Sequence, residues 1–234
     1  MDSGTLTKNI DIKYFGTHQR INKKSYYLAF NSYHQKNFPT LKLINSFTGR
    51  NGPDGDWMRK IDKDSNHYYN PINNTGDAIS ICNEKYQKAL FHLTNKHMIN
   101  SAKEIAYMAH YAIDALSPFH HYGKHIQNVE DYENWFDPYY DCGILSKKHL
   151  KVEATFFVKN LIKEFPSGQI YTINNTEKFI KRFASNIFSL KIVERYKTGN
   201  KRDADILTYT KVIPSMISVV ASLYRHLYCE SDKT

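Results

Sequence analysis

The chain has 234 residues and a formal charge of +9, from 32 Lys plus Arg against 23 Asp plus Glu, with 41% hydrophobic residues. That length fits a single domain over 1–234 that buries about 70% of the surface its unfolded form exposes, with no disulfide staple required. The composition excludes collagen-like, coiled-coil and disordered chains. Uninterrupted apolar stretches such as Ile105 to Ala109 fall far short of the roughly 20 residues that span a bilayer, so no transmembrane segment is expected. Met1 to Asn9 is polar with no apolar region behind it. A secretory signal is therefore not expected, and the cytoplasm is the default compartment.

In chain order, apolar residues at helical spacing predict a first helix over about 21–35, ending before Pro39. Residues 37–77 carry Pro39, Gly49, Gly52, Pro53, Gly55, Pro71 and Gly76 and show little periodicity. A stretch this long without regular structure usually carries function. Its Trp57, His67, Tyr68 and Tyr69 argue against disorder. Helical spacing resumes from Ala78 to about Met98. Asn100 or Ser101 then caps a helix to about Leu116, stopped by Pro118. Asn128 caps a shorter helix through Asn134 or Phe136, with Glu130 and Asp131 in its first turn, where the helix dipole favours acids. Further helices open at Ser146, at Asn175 (ending near Gly199) and at Asp203, the last with Pro214 as a kink. No strand alternation with hairpin turns is present. The reading is an all-α, single-domain bundle of about seven helices with a long irregular loop.

Eleven histidines are present, and four of them, His110, His120, His121 and His125, fall within sixteen residues. His110 and Asp114 sit at i and i+4 inside a predicted helix, so imidazole and carboxylate project from one face and can reach one metal ion. Taken alone, such a pair is more often a hydrogen-bonded or solvated one. Proline at 118 then ends the helix and returns His120 and His121 towards the pair, with His125, Glu130 and Glu133 close behind. These are the nitrogen and oxygen donors that hold zinc. Upstream, His18 sits at the start of the first helix, and Asp54 and His67 lie in the irregular segment. A site assembled from several elements needs such a distribution. Cys82, Cys142 and Cys229 are widely spaced and unpaired in pattern, which fits ordinary thiols.

The stretches GTHQRI (16–21), GPD (52–54), HYYNP (67–71), HYAIDALSPFH (110–120) and YENWFD (132–137) occur in the order and at separations like those of the zinc-dependent phospholipase C and S1/P1 nuclease superfamily, which the sequence resembles. The motifs fall within 16–137, with 146–229 as helical scaffold. The resemblance implies an all-α fold holding two or three zinc ions and hydrolysing phosphodiesters with metal-activated water. By position, Asp54, His67, His110 and Asp114 would hold one zinc, and Asp114 would bridge to a second that also uses His18. A remaining zinc would use His120 and Glu133. Asp54 would also orient or deprotonate the attacking water. Members are often secreted, which sets the family against the default compartment.

Two positions depart from the family pattern. Val129 stands where a histidine is usual, four residues before Glu133, which makes His125 a substitute ligand and lets Glu130 compete with Glu133. Relatives use an N-terminal tryptophan as a zinc ligand, whereas about seventeen residues precede His18, with Tyr14 and Phe15 nearest. Asp56 competes with Asp54, and the Pro-Asp pairing favours Asp54.

The remaining candidates receive plainer readings. His34, His92, His97, His149 and His226 read as surface or core residues, and His121 as facing away from the site. Trp57, Tyr68, Tyr69 and Trp135 read mostly as core, those beside His67 also able to pack on a choline-like headgroup. The expected function is a phospholipase C-like phosphodiester hydrolase acting on a phospholipid headgroup or smaller phosphodiester, with contact to a membrane surface. The alternatives are an S1/P1-type nuclease, which the charge allows, and an inactive metal-bearing binding or structural protein.

Overall fold

The computed structural model describes residues 17–31, 35–122 and 168–233. The helices expected from Asn128 and Ser146, and the candidates His125, Val129, Glu130, Glu133 and Trp135, lie outside the described residues, as do Tyr14, Phe15, His34, Cys142 and His149.

The first helix, α1 (Thr17–Phe30), begins four residues earlier than the periodicity suggests and ends at Asn31, whose left-handed φ of 48° terminates it. The segment read as irregular is instead built from short pieces. They are α2 (Leu41–Asn45), capped by the Thr40 hydroxyl on the Leu43 amide, a 3₁₀ turn Gly49–Asn51, α3 (Pro53–Met58) and a 3₁₀ turn Asp64–His67. Elements of three to six residues are too short to show periodicity, which is why the sequence pattern missed them.

Helices α4 (Ala78–Thr94) and α5 (Met98–Ala115) form the main antiparallel pair. Helix α5 starts ahead of the predicted cap, because the Ser101 hydroxyl bonds back to the Met98 carbonyl at 2.9 Å instead of capping an amide. Residues 105–119 are all buried, the property of a helix with neighbours all round. Ala102, Ala106, Ala109, Ala112 and Ala115 are fully buried, and their small side chains let adjacent helices approach closely. The Cys82 thiol, inside this interface, contacts the Met108 carbonyl at 3.3 Å.

After Gly168, Asn175 caps α6 (Thr176–Phe188) by accepting from the Lys178 amide at 2.9 Å, as its sequence position suggests. The helix expected to run to Gly199 breaks at Lys191, whose φ is 51°, and resumes as α7 (Ile192–Lys197). Then follow α8 (Lys201–Leu207), a π turn (Thr208–Val212) and α9 (Ile213–Ser231). Pro214 therefore sits in the first turn of α9, and the irregularity it imposes falls one turn upstream. A proline has no N–H for the carbonyl four residues back, and the wider π turn absorbs that loss.

The run 202–231 is long and apolar enough to cross a membrane by length and composition alone. Its apolar face is nevertheless taken up by protein: α9 packs on α1, α4, α5 and α6, and Met216, Val220, Leu223 and Tyr224 are fully buried. The Ser25 hydroxyl donates to the Ile217 carbonyl at 3.1 Å, tying α1 to this core helix. Among the described residues the architecture is all-α, its only β pairing an isolated bridge between Asn70 and Thr75.

Candidate metal centre

His110 and Asp114 lie on the most buried helix, 4% and 1% exposed. An isolated carboxylate there would be costly to desolvate, so its partners decide whether it can exist. Three other elements supply them. The first turn of α1 carries His18, the first turn of α3 carries Asp54, and the 3₁₀ turn before Tyr68 carries His67.

The two oxygens of Asp114 face different groups. Oδ2 lies 2.8 Å from His67 Nδ1 and 3.0 Å from His110 Nε2. Oδ1 lies 3.5 Å from His18 Nε2 and 3.6 Å from His120 Nδ1, and has no hydrogen-bond partner. His110 Nε2 is also 3.3 Å from His67 Nδ1 and 3.4 Å from Asp54 Oδ1. The His18 ring stacks on His110 with centroids 4.1 Å apart. Two overlapping donor groups result, His18–Asp54–His110 and His67–His110–Asp114, and these buried groups could hold a metal ion. Within them, His18 Nδ1 and Asp54 Oδ2 are buried without hydrogen-bond partners, as ligands awaiting a cation would be.

Asp56 is occupied elsewhere. Its carboxylate takes Arg59 at 2.6 Å and the Tyr107 hydroxyl at 2.5 Å, leaving Asp54 to face the histidines. His120 approaches the cluster but is engaged by backbone: its Nδ1–H donates to the His67 carbonyl at 2.6 Å, while its own carbonyl accepts from the Tyr69 amide at 3.2 Å. These bonds splice the His67 loop to the 3₁₀ turn Pro118–Tyr122. His121 is fully buried, with Nε2 donating to the Ala115 carbonyl at 2.9 Å.

Asp62 went unnoticed in the sequence. Its Oδ2 lies 3.2 Å from His67 Nε2 and accepts from the Tyr111 hydroxyl at 2.5 Å, and its Oδ1 accepts from Asn66 and the Lys63 amide. A carboxylate on the far nitrogen of a ligating imidazole fixes the ring and raises its basicity. Every metal-binding histidine calls for such a partner. The acid five residues ahead of His67 was the available signal, although no motif marks it.

Two further placements matter. Trp57, read as core, is 42% exposed at the end of α3, whereas Tyr69 is buried with its hydroxyl on Asn74 at 2.9 Å. His92, His97 and His226 are remote from the cluster and form ring contacts with Phe91, with each other and with Tyr86.

Without a cation the cluster is held together by protons. Burial works against a charged His110, but the Asp114 and Asp54 carboxylates outweigh it and raise the imidazole to about 10. Burial likewise opposes protonation of His67, and hydrogen bonds to Asp114 and Asp62 bring it up to about 9. His18 is pushed down to about 3 by burial and by the neighbouring His110 charge. Burial would raise Asp54, yet His110 holds it down to about 2. A metal must displace the His67 and His110 protons, because only a neutral imidazole offers a lone pair. Metal uptake near pH 7 is therefore expected to release about two protons per ion. The same competition means that affinity rises with pH until about 9 to 10, where both imidazoles are already neutral. Calorimetry in two buffers of different ionisation enthalpy measures this release; uptake without any release would show that these imidazoles are not the ligands.

The fold and the centre together describe an all-α chain with a buried His/Asp cluster able to take a metal ion. No protein-family model and no curated protein matches the chain.

Proposed function

We propose that the protein is a zinc-dependent hydrolase of phosphodiesters, most like phospholipase C. The observation that carries the reading is a pair of buried donor groups sharing His110: His67 Nδ1, His110 Nε2 and Asp114 Oδ2 lie 2.8 to 3.3 Å apart, and His18–Asp54–His110 brings Asp54 Oδ1 to 3.4 Å from His110 Nε2. Zinc bonded at about 2.0–2.2 Å in a tetrahedron sets its donors about 3.3–3.6 Å apart. The His67, His110 and Asp114 atoms are near that spacing, and the mixed nitrogen and oxygen character of both groups suits zinc. Asp114 Oδ1 faces His18 Nε2 at 3.5 Å, so Asp114 spans the two groups, in keeping with the bridging role that the resemblance implies, whereas Asp54 groups with His18. Zinc bound there would lower the pKa of a coordinated water and offset charge on the phosphoryl oxygens.

The chain's own residues supply the rest. Asp54 stays ionised, and its unpartnered Oδ2 can accept a hydrogen bond from the attacking water and orient it. Asp62 and Tyr111 hold the His67 ring, and the His67 carbonyl holds His120. No side-chain nucleophile is required.

The test is metal analysis joined to activity. At least one tightly held zinc per purified chain is expected, with hydrolysis of p-nitrophenyl phosphorylcholine or bis-p-nitrophenyl phosphate that a chelator abolishes and zinc restores. A folded preparation with neither zinc nor activity overturns the reading. Turnover of single-stranded DNA but not of phosphatidylcholine would move it to the nuclease class.

A further inference from the structure

Asp54 and Asp62, both at the metal centre, are separated by seven residues that leave it and come back. The excursion is exposed at every position from Trp57 to Ile61, in the order Trp, Met, Arg, Lys, Ile. Met58 is 55% exposed and Ile61 70%. The tip is an ordered turn. The Lys60 amide bonds to the Trp57 carbonyl at 2.9 Å, the Ile61 amide bonds to the Asp56 carbonyl at 2.9 Å, and Lys60 has a φ of 59°.

Charge is sorted across this segment. The acids Asp54, Asp56 and Asp62 turn inward, onto His110, onto Tyr107 and onto His67 with Tyr111. The basic Arg50, Lys60 and Lys63 are exposed, and Arg59, also exposed, is bound back by its guanidinium to the Asp56 carboxylate and the Arg50 carbonyl. What the segment presents outward is thus apolar and cationic side chains together, fastened at both ends to the centre.

We propose that the 57–61 tip is a docking surface for an anionic phospholipid bilayer, seating the metal centre at the lipid surface. It rests on the phospholipid-hydrolase reading of that centre. Aromatic and aliphatic side chains entering the headgroup boundary beside lysine and arginine are the chemistry of interfacial anchoring. Each basic residue held near an anionic leaflet strengthens binding about five-fold. A second copy of the chain is a poor occupant, because it would bring the exposed Lys60 and Lys63 charges against their own counterparts. A nucleic acid would leave Met58 and Ile61 without an apolar partner.

The full chain, with chelator present to suspend hydrolysis, is cosedimented with vesicles of equimolar phosphatidylcholine and phosphatidylserine and with vesicles of phosphatidylcholine alone. Tighter binding to the anionic vesicles is expected, weakening as salt is added. Met58→Ser with Ile61→Ser together should reduce it by about ten-fold or more, and Trp57→Ala should reduce it too. Ile99→Ser is the control. Ile99 is 66% exposed near the start of α5, about 16 Å along the helix from His110, and binding should not change. The proposal is overturned if the wild type ignores vesicles or if the Ile99 control loses as much as the tip variant. It is equally overturned if the tip variant loses single-stranded DNA binding and keeps vesicle binding. Hydrolysis of soluble p-nitrophenyl phosphorylcholine by the zinc-loaded tip variant should match wild type. Loss of that hydrolysis in the tip variant alone would mean that the tip holds the centre rather than docks a bilayer and overturns the proposal, whereas an inactive wild type would overturn the hydrolase reading, which separates the two conclusions.

Discussion

Asp114→Asn is expected to remove metal binding, weakening zinc affinity by at least about 100-fold, with hydrolysis lost in parallel. The substitution keeps the size of the side chain and takes away only its charge. That charge is the shared acceptor for His67 at 2.8 Å and His110 at 3.0 Å, and its other oxygen faces His18 and His120. Removing one partner of a buried ion pair costs about 3–5 kcal/mol when the other must stay charged. Here the imidazoles can shed their protons, so the metal-free chain should lose only about 1–3 kcal/mol. The sign of the pH dependence follows from the raised imidazoles. Stabilisation by protonated His67 and His110 is fully present below their ordinary value of 6.5 and fades as pH rises through about 9 to 10. The gap between wild type and variant should therefore be widest between about pH 4 and 6.5, shrink through neutral pH and be narrow above 10. Chelator competition and thermal melts across pH measure both effects. Wild-type zinc content in the variant would place the metal elsewhere.

Gly55→Ala is expected to cost about 3 kcal/mol and to loosen zinc without touching a ligand. A methyl group at this position would stand 2.0 Å from the Arg50 carbonyl oxygen and 2.5 Å from its carbon. These are backbone atoms, so no side-chain rotation relieves the clash. The Gly49–Asn51 turn would have to move away from α3, breaking the bond from Arg59 to the Arg50 carbonyl at 2.7 Å and tilting Asp54 beside it. Gly199→Ala makes the contrasting case. Its φ of 80° is left-handed but nothing lies within 4 Å of the added methyl, so the cost should be about 1 kcal/mol with zinc binding unchanged. Equal zinc affinity in both variants would show that the 49–51 turn does not position Asp54.

How far the centre could be read in advance depended on where each residue lies. His110 and Asp114 were legible because a long helix imposes fixed spacing, and i with i+4 is a statement about one face. Asp54 and His67 were located through family-like stretches, since residues in separate short elements carry no periodicity that relates them. Asp62 was invisible because its role is set by the return of the 57–61 excursion, which brings it to the far side of the His67 ring. Trp57 read as core on hydrophobicity alone. The structure exposes it at the end of a short helix whose buried residues are Pro53 and Gly55.

The sequence by itself determined the helical class, the existence of the long helices α4 and α5 and the types of donor available, since composition and local periodicity act within a single element. The splice between His67 and His120, the Asp62 carboxylate beside His67 and the outward face at 57–61 were decided by tertiary structure alone. Each depends on which of several elements comes within about 3 Å of another, and a distance between elements far apart in sequence is set by how their buried faces pack.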